Sequence, residues 1–315
     1  MRRSAGLPVL IIVIFLTMLA VCQVSCQRKA ENTLHTGKLQ VISSLFPLYD
    51  FAKNIGGDRA DVSLLLPPGV EPHSFEPKPE DIIKLGKADI FIYTNNYMEP
   101  WINDILKGIN NPGLVVVNSS EYIELLKGED EEDVHEHGGM DPHVWLDLTN
   151  AAKMVDAICE GFIKKDPLHK EIYRQNAESY KAKLLELDKK FSESLAGCKK
   201  RILMSGGHYS FGYLAKRYNL RYLPAYYGFS PDAEPNPKDL IELSKELKRS
   251  GLHYIFYEEL VNPGVARTIA GETGAKLLLL HGAHNISRDE LDRNITFLSI
   301  MEHNLENMKE GLECR

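Results

Sequence analysis

The apolar residues of this chain occur in short continuous runs that alternate with longer stretches of helical spacing. In the first half, the short runs predict four strands, at Leu39–Ser44, Val62–Leu66, Ile90–Tyr93 and Leu114–Val117. The longer stretches predict helices between these strands, at Pro47–Ile55, Pro79–Leu85 and Pro100–Ile109. A proline stands at the start of each helix, where its missing N–H has no intrahelical partner to lose.

The second half repeats this order of strands and helices. Its predicted strands are Arg201–Ser205, Arg221–Ala225, Tyr254–Tyr257 and Lys276–Leu280. Its predicted helices are Tyr209–Tyr218, Pro237–Lys248, Pro263–Thr273 and a last helix from about Asp289 to Leu312. Four strand–helix units in each half are typical of the α/β class, with parallel sheets that helices cover on both faces.

A long helical segment separates the two halves. It is predicted over Asn150–Lys165, is interrupted at Asp166, and resumes over His169–Ala196. Roughly 28 helical residues at about 1.5 Å each span about 42 Å, which is the length of a domain. We therefore expect one rigid helical rod between two lobes, with little hinge motion. The expected division is an N-terminal lobe over 38–148, connecting helices over 149–197 and a C-terminal lobe over 198–315.

The first 26 residues have the pattern of a secretory signal. Arg2 and Arg3 precede an apolar run from Leu7 to Val21, which is shorter than the roughly 20 residues of a membrane-spanning helix, the alternative. The run ends near two cysteines, Cys22 and Cys26, and a cysteine there suggests a bacterial lipoprotein. Which cysteine carries the lipid stays open. Residues 27–37 are polar and non-periodic, so we expect a tether.

Composition narrows the location and the partners. The chain has 315 residues, 43% of them hydrophobic and 26% charged, with a formal net charge of −7. No basic stripe is present, so we do not expect a nucleic-acid partner. The signal predicts export to the periplasm or to the outer face of the cytoplasmic membrane, and the cysteine predicts a lipid anchor there.

Three cysteines remain after the signal. An exported protein can oxidise a pair, and a bridge between Cys198 and Cys314 would fasten the last helix to the first strand of its lobe. Buried free thiols are the alternative, and the sequence leaves both open.

Four histidines stand at matching places in the two halves. His73, His208 and His281 each closely follow a predicted strand, and His143 lies at a predicted helix start. Ligands in open α/β sheets collect at the carboxyl ends of strands, and imidazole is a common ligand of zinc. Each histidine alone could be an ordinary hydrogen-bonding residue. Together they predict one metal ion that receives ligands from both halves.

Several neighbouring residues could support such a site. Asp141 and Asp147 could orient the imidazole of His143 by accepting its second N–H, although Asp141 could equally belong to a helix-start turn. Glu258 ends a predicted strand and could act in the same way or as a ligand. His284 competes with His281 for the fourth position.

An acidic insert at residues 128–139 adds two more histidines. Its sequence, GEDEEDVHEHGG, predicts a mobile loop in which His135 and His137 could collect metal weakly, although solvation alone would explain the composition. The sequence has no HExxH, GxSxG, phosphate-loop or dinucleotide-binding motif. Four protein nitrogens would leave no open coordination position, so the site is expected to hold a metal and not to catalyse a reaction.

Five motifs, in this order, carry a resemblance to a known family: PHSFEPKPEDI, DPHVWLD, GGHYSFGYLAKRY, AEPNPKDL and IFYEE. They resemble the metal-specific solute-binding proteins of bacterial ABC importers, the TroA-like cluster A-I family of zinc and manganese binders, over about residues 38–312. The resemblance implies two (βα)4 lobes with parallel sheets joined by one long rigid helix, and a metal in the cleft between the lobes. It also implies an importer permease as the partner, and we expect the protein to be a monomer.

The resemblance places the ligands at His73, His143, His208 and the end of the last strand. There the family usually has Asp, whereas this sequence has His281, with Glu258 or water as substitutes. Imidazole-rich sites favour zinc, whereas manganese favours oxygen ligands. The predicted function is thus extracytoplasmic capture of zinc for an ABC importer. The alternatives are a manganese or iron binder, a surface adhesion protein, which needs a macromolecular partner, and a metalloenzyme, which needs turnover.

Overall fold

The first lobe contains a four-stranded parallel sheet. The structure, a computed structural model, describes residues 37–128, 139–229 and 236–314. The strands are β1 (Leu39–Ser43), β2 (Ala60–Leu64), β3 (Ile90–Tyr93) and β4 (Val115–Asn118), in the order β2-β1-β3-β4. In this register Val41 lies opposite both Val62 and Ile90. The four predicted strands are confirmed, with ends shifted by up to two residues.

Helices cover both faces of this sheet because alternate residues of each strand point to opposite sides. Val41, Ile90 and Ile92 pack into the larger core, whereas Ile42 and Phe91 pack into a smaller one. The helices are α1 (Phe46–Gly56), α2 (Pro79–Leu85) and α3 (Ile102–Gly108). The parallel arrangement brings the carboxyl ends of all four strands to one edge, from which the loops to the candidate site leave.

The second lobe repeats the strand order with shorter strands. Its strands are β5 (Ile202–Met204), β6 (Arg221–Leu223), β7 (Tyr254–Tyr257) and β8 (Lys276–Leu279). β5 pairs with β6 and β7 with β8, both in parallel, and a parallel bridge between Ser205 and Phe256 links the two pairs. The resulting order, β6-β5-β7-β8, corresponds to β2-β1-β3-β4. The lobe also contains α6 (Gly212–Arg217), α7 (Pro237–Arg249) and α8 (Gly264–Thr273).

Two packed helices connect the lobes. They are α4 (Leu148–Lys165) and α5 (Lys170–Ala196), separated by a 3-10 turn at Pro167–His169. Helix α4 begins where the Asp147 side chain accepts hydrogen bonds from the Thr149 and Asn150 amides. The 27 residues of α5 correspond to about 40 Å. One face of α5 is buried along most of this length through Tyr173, Tyr180, Leu184, Leu187 and Phe191. The predicted long connecting helix is confirmed.

The predicted single last helix is wrong, since the structure contains two. They are α9 (Arg288–Asp292) and α10 (Phe297–Gly311). Asn294 between them has a φ of 55°, in the left-handed region that no α-helix continues through. The Thr296 hydroxyl then accepts a hydrogen bond from the Ser299 amide and starts α10. The periodicity of apolar residues continues across this break, which is why the sequence suggested one helix.

The structure joins Cys198 to Cys314, one of the two alternatives that the sequence left open, and Cys159 is a buried free thiol. The predicted signal, the tether up to residue 36, and the loop with His135 and His137 lie outside the described residues. Across the described ranges, no helix is both long enough and apolar enough to cross a membrane.

Candidate metal centre

Four imidazoles from both lobes converge at one point. His73, His143, His208 and His284 each offer a ring nitrogen, and these four atoms lie within 4.8 Å of one another. His143, His208 and His284 are 0%, 2% and 5% exposed, whereas His73 is half-buried. Among the described residues this is the one group of histidine, cysteine or carboxylate side chains with such a spacing. The sequence prediction that histidines of both halves meet thus has a counterpart in the structure.

The distances within the group suit a tetrahedral zinc ion. Nε2 of His73 lies 3.3 Å from Nε2 of His143. Two nitrogens at about 2.0–2.1 Å from a tetrahedral zinc are about 3.3–3.4 Å apart. The six distances between the ring centroids of the four histidines all lie between 4.9 and 5.7 Å. The group is therefore close to the size that such an ion requires.

Two ring nitrogens of the group are buried without a protein partner. In the part of the chain that the structure describes, Nε2 of His208 and Nε2 of His284 have no hydrogen-bond partner. Buried polar atoms are nearly always hydrogen-bonded or bound to something else. Both atoms belong to rings that face the other imidazoles, so a ligand shared by the group would satisfy them.

His73 is fixed by the turn on which it lies. It belongs to the loop between β2 and α2, where a carboxylate oxygen of Glu71 accepts hydrogen bonds from the His73 amide at 2.8 Å and the Ser74 amide at 3.1 Å. Burial raises the pKa of Glu71, although the nearby His284 and His208 oppose this shift. The sequence analysis did not single out Glu71, although its contacts are local, with amides two and three residues further along the chain.

His143 is oriented by Asp141. One carboxylate oxygen of Asp141 accepts a hydrogen bond from the His143 amide at 2.9 Å and lies 2.8 Å from Nδ1 of the same residue. A proton on Nδ1 leaves Nε2 with its lone pair towards the group. Gly212 makes room for this contact, since a Cβ there would lie 2.6 Å from the other Asp141 oxygen.

Asp147 does not orient the imidazole of His143, as the sequence suggested it could. Its carboxylate accepts hydrogen bonds from the Thr149 amide at 2.8 Å and the Thr149 hydroxyl at 2.7 Å, at the start of α4. The physical reason is that a helix N-terminus has free N–H groups, and a carboxylate immediately before it satisfies them. Asp147 positions the connecting helix instead of the imidazole.

His208 is paired with Glu258 across the second lobe. Oε2 of Glu258 lies 2.8 Å from Nδ1 of His208. Burial would lower the pKa of His208, but the charge and hydrogen bond of Glu258, together with the charges of Glu71 and Glu259, outweigh burial and raise this pKa. Gly207 is required here, because a Cβ at this position would overlap a Glu258 oxygen. The double glycine before His208 thus serves the close approach of its carboxylate partner.

His284 occupies the fourth position of the group, and His281, which the sequence suggested, does not. Nδ1 of His281 lies 3.2 Å from Glu259, and its Nε2 lies 3.6 Å from Glu290. Burial would lower the pKa of His281, but these two carboxylates outweigh it and raise the pKa to about 9. The backbone between the two histidines is unusual: Ala283 has a φ of 58°, in the left-handed region, and the ring of the next residue, His284, joins the group.

Glu259 lies beside the Nδ1 atom of His284. Its Oε1 lies 3.4 Å from Nδ1 of His284, and its Oε2 accepts a hydrogen bond from the Gly282 amide at 2.6 Å. Burial would raise the pKa of Glu259, but His281 and His284 hold it well below its usual range. The spacing of His281 and His284 after a strand, together with two adjacent glutamates, was a signal in the sequence, although it did not favour His284.

Comparison with known families places this geometry in context. Residues 41–311 match the family described as "Zinc-uptake complex component A periplasmic". The chain belongs to this family, ZnuA. The resemblance inferred from the five motifs is thereby confirmed, as is the two-lobe α/β fold. The family is named for uptake and not for a reaction, in agreement with the prediction that the chain is not an enzyme.

Individual relatives share most of the chain. A protein of Bacillus subtilis named "High-affinity zinc uptake system protein ZnuA" is 38% identical over 284 residues, 87% of this chain and 88% of the relative. The "Zinc-binding lipoprotein AdcA" of Streptococcus pneumoniae is 33% identical over 301 residues, which cover 93% of this chain but 59% of that longer protein.

Solved structures show the same fold. The metal-dependent lipoprotein YcdH of Bacillus subtilis has a TM-score of 0.76 at 38% identity and covers 87% of this chain and 100% of its own. The Zn(II)-bound ZnuA-like domain of AdcA from Streptococcus pneumoniae also has a TM-score of 0.76, at 32% identity, and covers 88% of this chain and 100% of its own.

Proposed function

We propose that this protein captures one zinc ion outside the cytoplasm and delivers it to the permease of an ABC importer. His73, His143, His208 and His284 are the proposed ligands. The convergence of their four ring nitrogens within 4.8 Å is the observation that carries this proposal. The names of the ZnuA and AdcA relatives, which refer to zinc uptake and zinc binding, support it.

The ligand chemistry favours zinc over manganese. All four proposed ligands are imidazoles, whereas manganese favours carboxylate and carbonyl oxygens. Three carboxylates, those of Asp141, Glu258 and Glu259, lie against the Nδ1 atoms of His143, His208 and His284. In that position they fix the orientation of the rings, which is the usual support of a metal-binding histidine.

The remaining parts of the chain receive proposed roles that follow from the sequence. Residues 1–26 direct export, and Cys22 or Cys26 carries a lipid that anchors the protein to the membrane through the tether at 27–37. The lobes are 38–148 and 198–315, with 149–197 between them. His135 and His137 add weak zinc-collecting capacity. The protein acts as a monomer.

Zinc titration of the metal-free protein tests the central proposal. Calorimetry and native mass spectrometry should show one tightly bound zinc ion per chain and much weaker manganese binding. Because the ligands converge only in the folded state, zinc at 100 times its Kd should raise the free energy of unfolding by about 2.7 kcal/mol. Absence of a stoichiometric zinc ion would contradict the proposal.

Single substitutions assign the ligands. His73→Ala, His143→Ala and His208→Ala should each weaken zinc binding by more than about 100-fold, because even the outer partners of metal ligands contribute 10–100-fold. His253→Ala is the matched control, since that side chain is 73% exposed and contacts Glu313 away from the cleft. If a variant of a proposed ligand binds zinc as tightly as the control, the substituted residue is not a zinc ligand.

A further inference from the structure

The loop that carries His284 belongs to the second lobe by sequence but is hydrogen-bonded to the first. We define the His284 loop as residues 281–286. The Trp145 indole N–H donates to the Gly282 carbonyl at 2.8 Å, and the Phe46 amide donates to the His284 carbonyl at 3.3 Å. Both donors lie before the connecting helices. The position of His284 is therefore fixed by hydrogen bonds to the first lobe as well as by its own lobe.

Asn285 makes the most direct of these links. Its side chain is fully buried, and its NH2 group donates to the Pro67 carbonyl at 2.7 Å and to the Val70 carbonyl at 2.9 Å. Its side-chain oxygen accepts a hydrogen bond from the Ile286 amide at 2.9 Å. Both amide protons thus bind the same short stretch of the other lobe. A Ser or Thr side chain, which has a single O–H donor, could not make both bonds.

The partner stretch leads directly to His73. We define the His73 loop as residues 67–78. The Gly69 amide donates to the Ile286 carbonyl at 2.8 Å, so three hydrogen bonds join the His73 loop to the His284 loop side by side. Gly69 has a φ of 82°, a conformation that glycine adopts without strain, and this turn presents both carbonyls to Asn285.

The four histidines differ in how deeply they are buried. His143, His208 and His284 are buried, whereas His73 is the half-buried member of the group. An ion held among the four therefore reaches solvent most directly by displacing the His73 loop. A displacement of the whole His73 loop, from residue 67 onwards, would break its three hydrogen bonds to the His284 loop.

We propose that Asn285 is a positioning residue that clasps the His73 loop to the His284 loop and thereby sets how long a captured zinc ion stays bound. This inference rests on the proposed function, since it concerns the same four histidines. It predicts that loss of the Asn285 side chain accelerates zinc release much more than it disturbs folding. A residue that merely packs between the lobes would instead lower stability and leave the release rate unchanged.

The test compares zinc release from matched variants. Asn285→Ala removes both donors, and Asn285→Asp keeps the shape but turns a carboxylate oxygen towards two carbonyls. Asn111→Ala is the control, because Asn111 also donates to a backbone carbonyl, that of Ala88 at 2.9 Å, but within the first lobe. Release is followed by stopped-flow transfer of zinc to a chelator, with thermal melting of each metal-free variant alongside.

Two lost hydrogen bonds should accelerate release from Asn285→Ala roughly tenfold or more. Asn285→Asp should release zinc at least as fast, and Asn111→Ala at the wild-type rate. Release rates within twofold of wild type for both Asn285 variants would overturn the inference while leaving the proposed function intact. Failure of the wild type to bind zinc would instead refute the proposed function.

A measurement on the unmodified protein covers the case in which the variants fold poorly. Amide hydrogen exchange followed by NMR in the zinc-bound wild type should show Gly69 protected, because its N–H is bonded across the cleft. A Gly69 amide that exchanges as fast as an exposed loop amide would show that the two loops are not clasped in solution.

Discussion

The sheet of the N-terminal lobe is continuous, whereas that of the C-terminal lobe consists of two pairs of strands joined by one bridge. β1 pairs with β2 over five residues and with β3 over three. In the other lobe, Ser205 and Phe256 make the bridge between β5 and β7. Ile90, Phe91 and Ile92 in β3 are completely buried, whereas every residue of β8 is at least partly exposed. The sheet of the second lobe therefore contributes less to stability than the sheet of the first lobe.

Contacts outside the sheet compensate in the C-terminal lobe. The Cys198–Cys314 disulfide ties the start of the lobe to its end. Beside it, the Arg201 guanidinium donates to the carbonyls of Leu195 at 2.6 Å and Asn219 at 2.7 Å. The two lobes thus share one strand order but are stabilised by different contacts. We therefore expect comparable substitutions in the two lobes to have different effects.

Removal of the disulfide is expected to have the largest effect on this comparison. Cys198→Ser combined with Cys314→Ser should lower the free energy of unfolding by about 2–5 kcal/mol, because the bridge closes a long loop, with a sequence separation of 116. Denaturant unfolding of the metal-free protein measures the change. Zinc stoichiometry should stay at one ion per chain. An unchanged unfolding midpoint would show that the second lobe does not depend on the bridge.

The choice between two histidines of the C-terminal lobe comes next in size. His284→Ala should weaken zinc binding by more than about 100-fold, as for the other proposed ligands. His281→Ala removes only a partner of Glu259 and Glu290, so its effect should stay within about tenfold. Competition with a chelator of known affinity gives both values. The reverse order of effects would return the fourth position to His281.

Parallel changes of one carboxylate in each lobe compare how the imidazoles are supported. Asp141→Asn and Glu258→Gln keep the size of each side chain but remove its charge beside His143 and His208. Each should weaken zinc binding by about 10–100-fold. Calorimetric titration at one pH provides the comparison. If either variant binds zinc like the wild type, its carboxylate does not orient a ligand.

The smallest expected effect is a shift in pH dependence. Glu258 raises the pKa of His208 against the opposite effect of burial, and a proton on His208 competes with zinc. As the pH is lowered, the zinc affinity of the wild type should therefore begin to decrease at a pH higher than the ordinary histidine pKa of about 6.5. In Glu258→Gln the fall should begin at lower pH. Coincident profiles of relative affinity would show that this charge does not control the protonation of His208.

The same pair affects the stability of the metal-free protein with the opposite trend in pH. Because the pKa of folded His208 is raised, its contribution to stability is complete below the unfolded pKa of about 6.5. It is lost as the pH rises through the folded pKa. Glu258→Gln should flatten this part of the stability profile, which denaturant titrations at several pH values would detect.

The sequence by itself determined the order of strands and helices, and hence the fold class. Strands such as Ile90–Tyr93 are short apolar runs between helices with prolines at their starts, and these local patterns need no partner to be recognised. The family motifs likewise pointed to three of the four converging histidines. Positions shortly after a strand, such as that of His208, lie at the edge of a parallel sheet where ligands collect, whatever the rest of the chain does.

Only the tertiary structure decided the fourth histidine and the roles of the carboxylates. His281 and His284 are three residues apart after one strand, and in the folded chain, with Ala283 at a φ of 58° between them, His284 is the one that joins the other three histidines. Asp147 was drawn to the amides of a helix start rather than to an imidazole. The link from Asn285 to Pro67 joins residues 218 positions apart. A link of this kind depends on which distant groups meet in the folded chain, and no local pattern in the sequence contains that information.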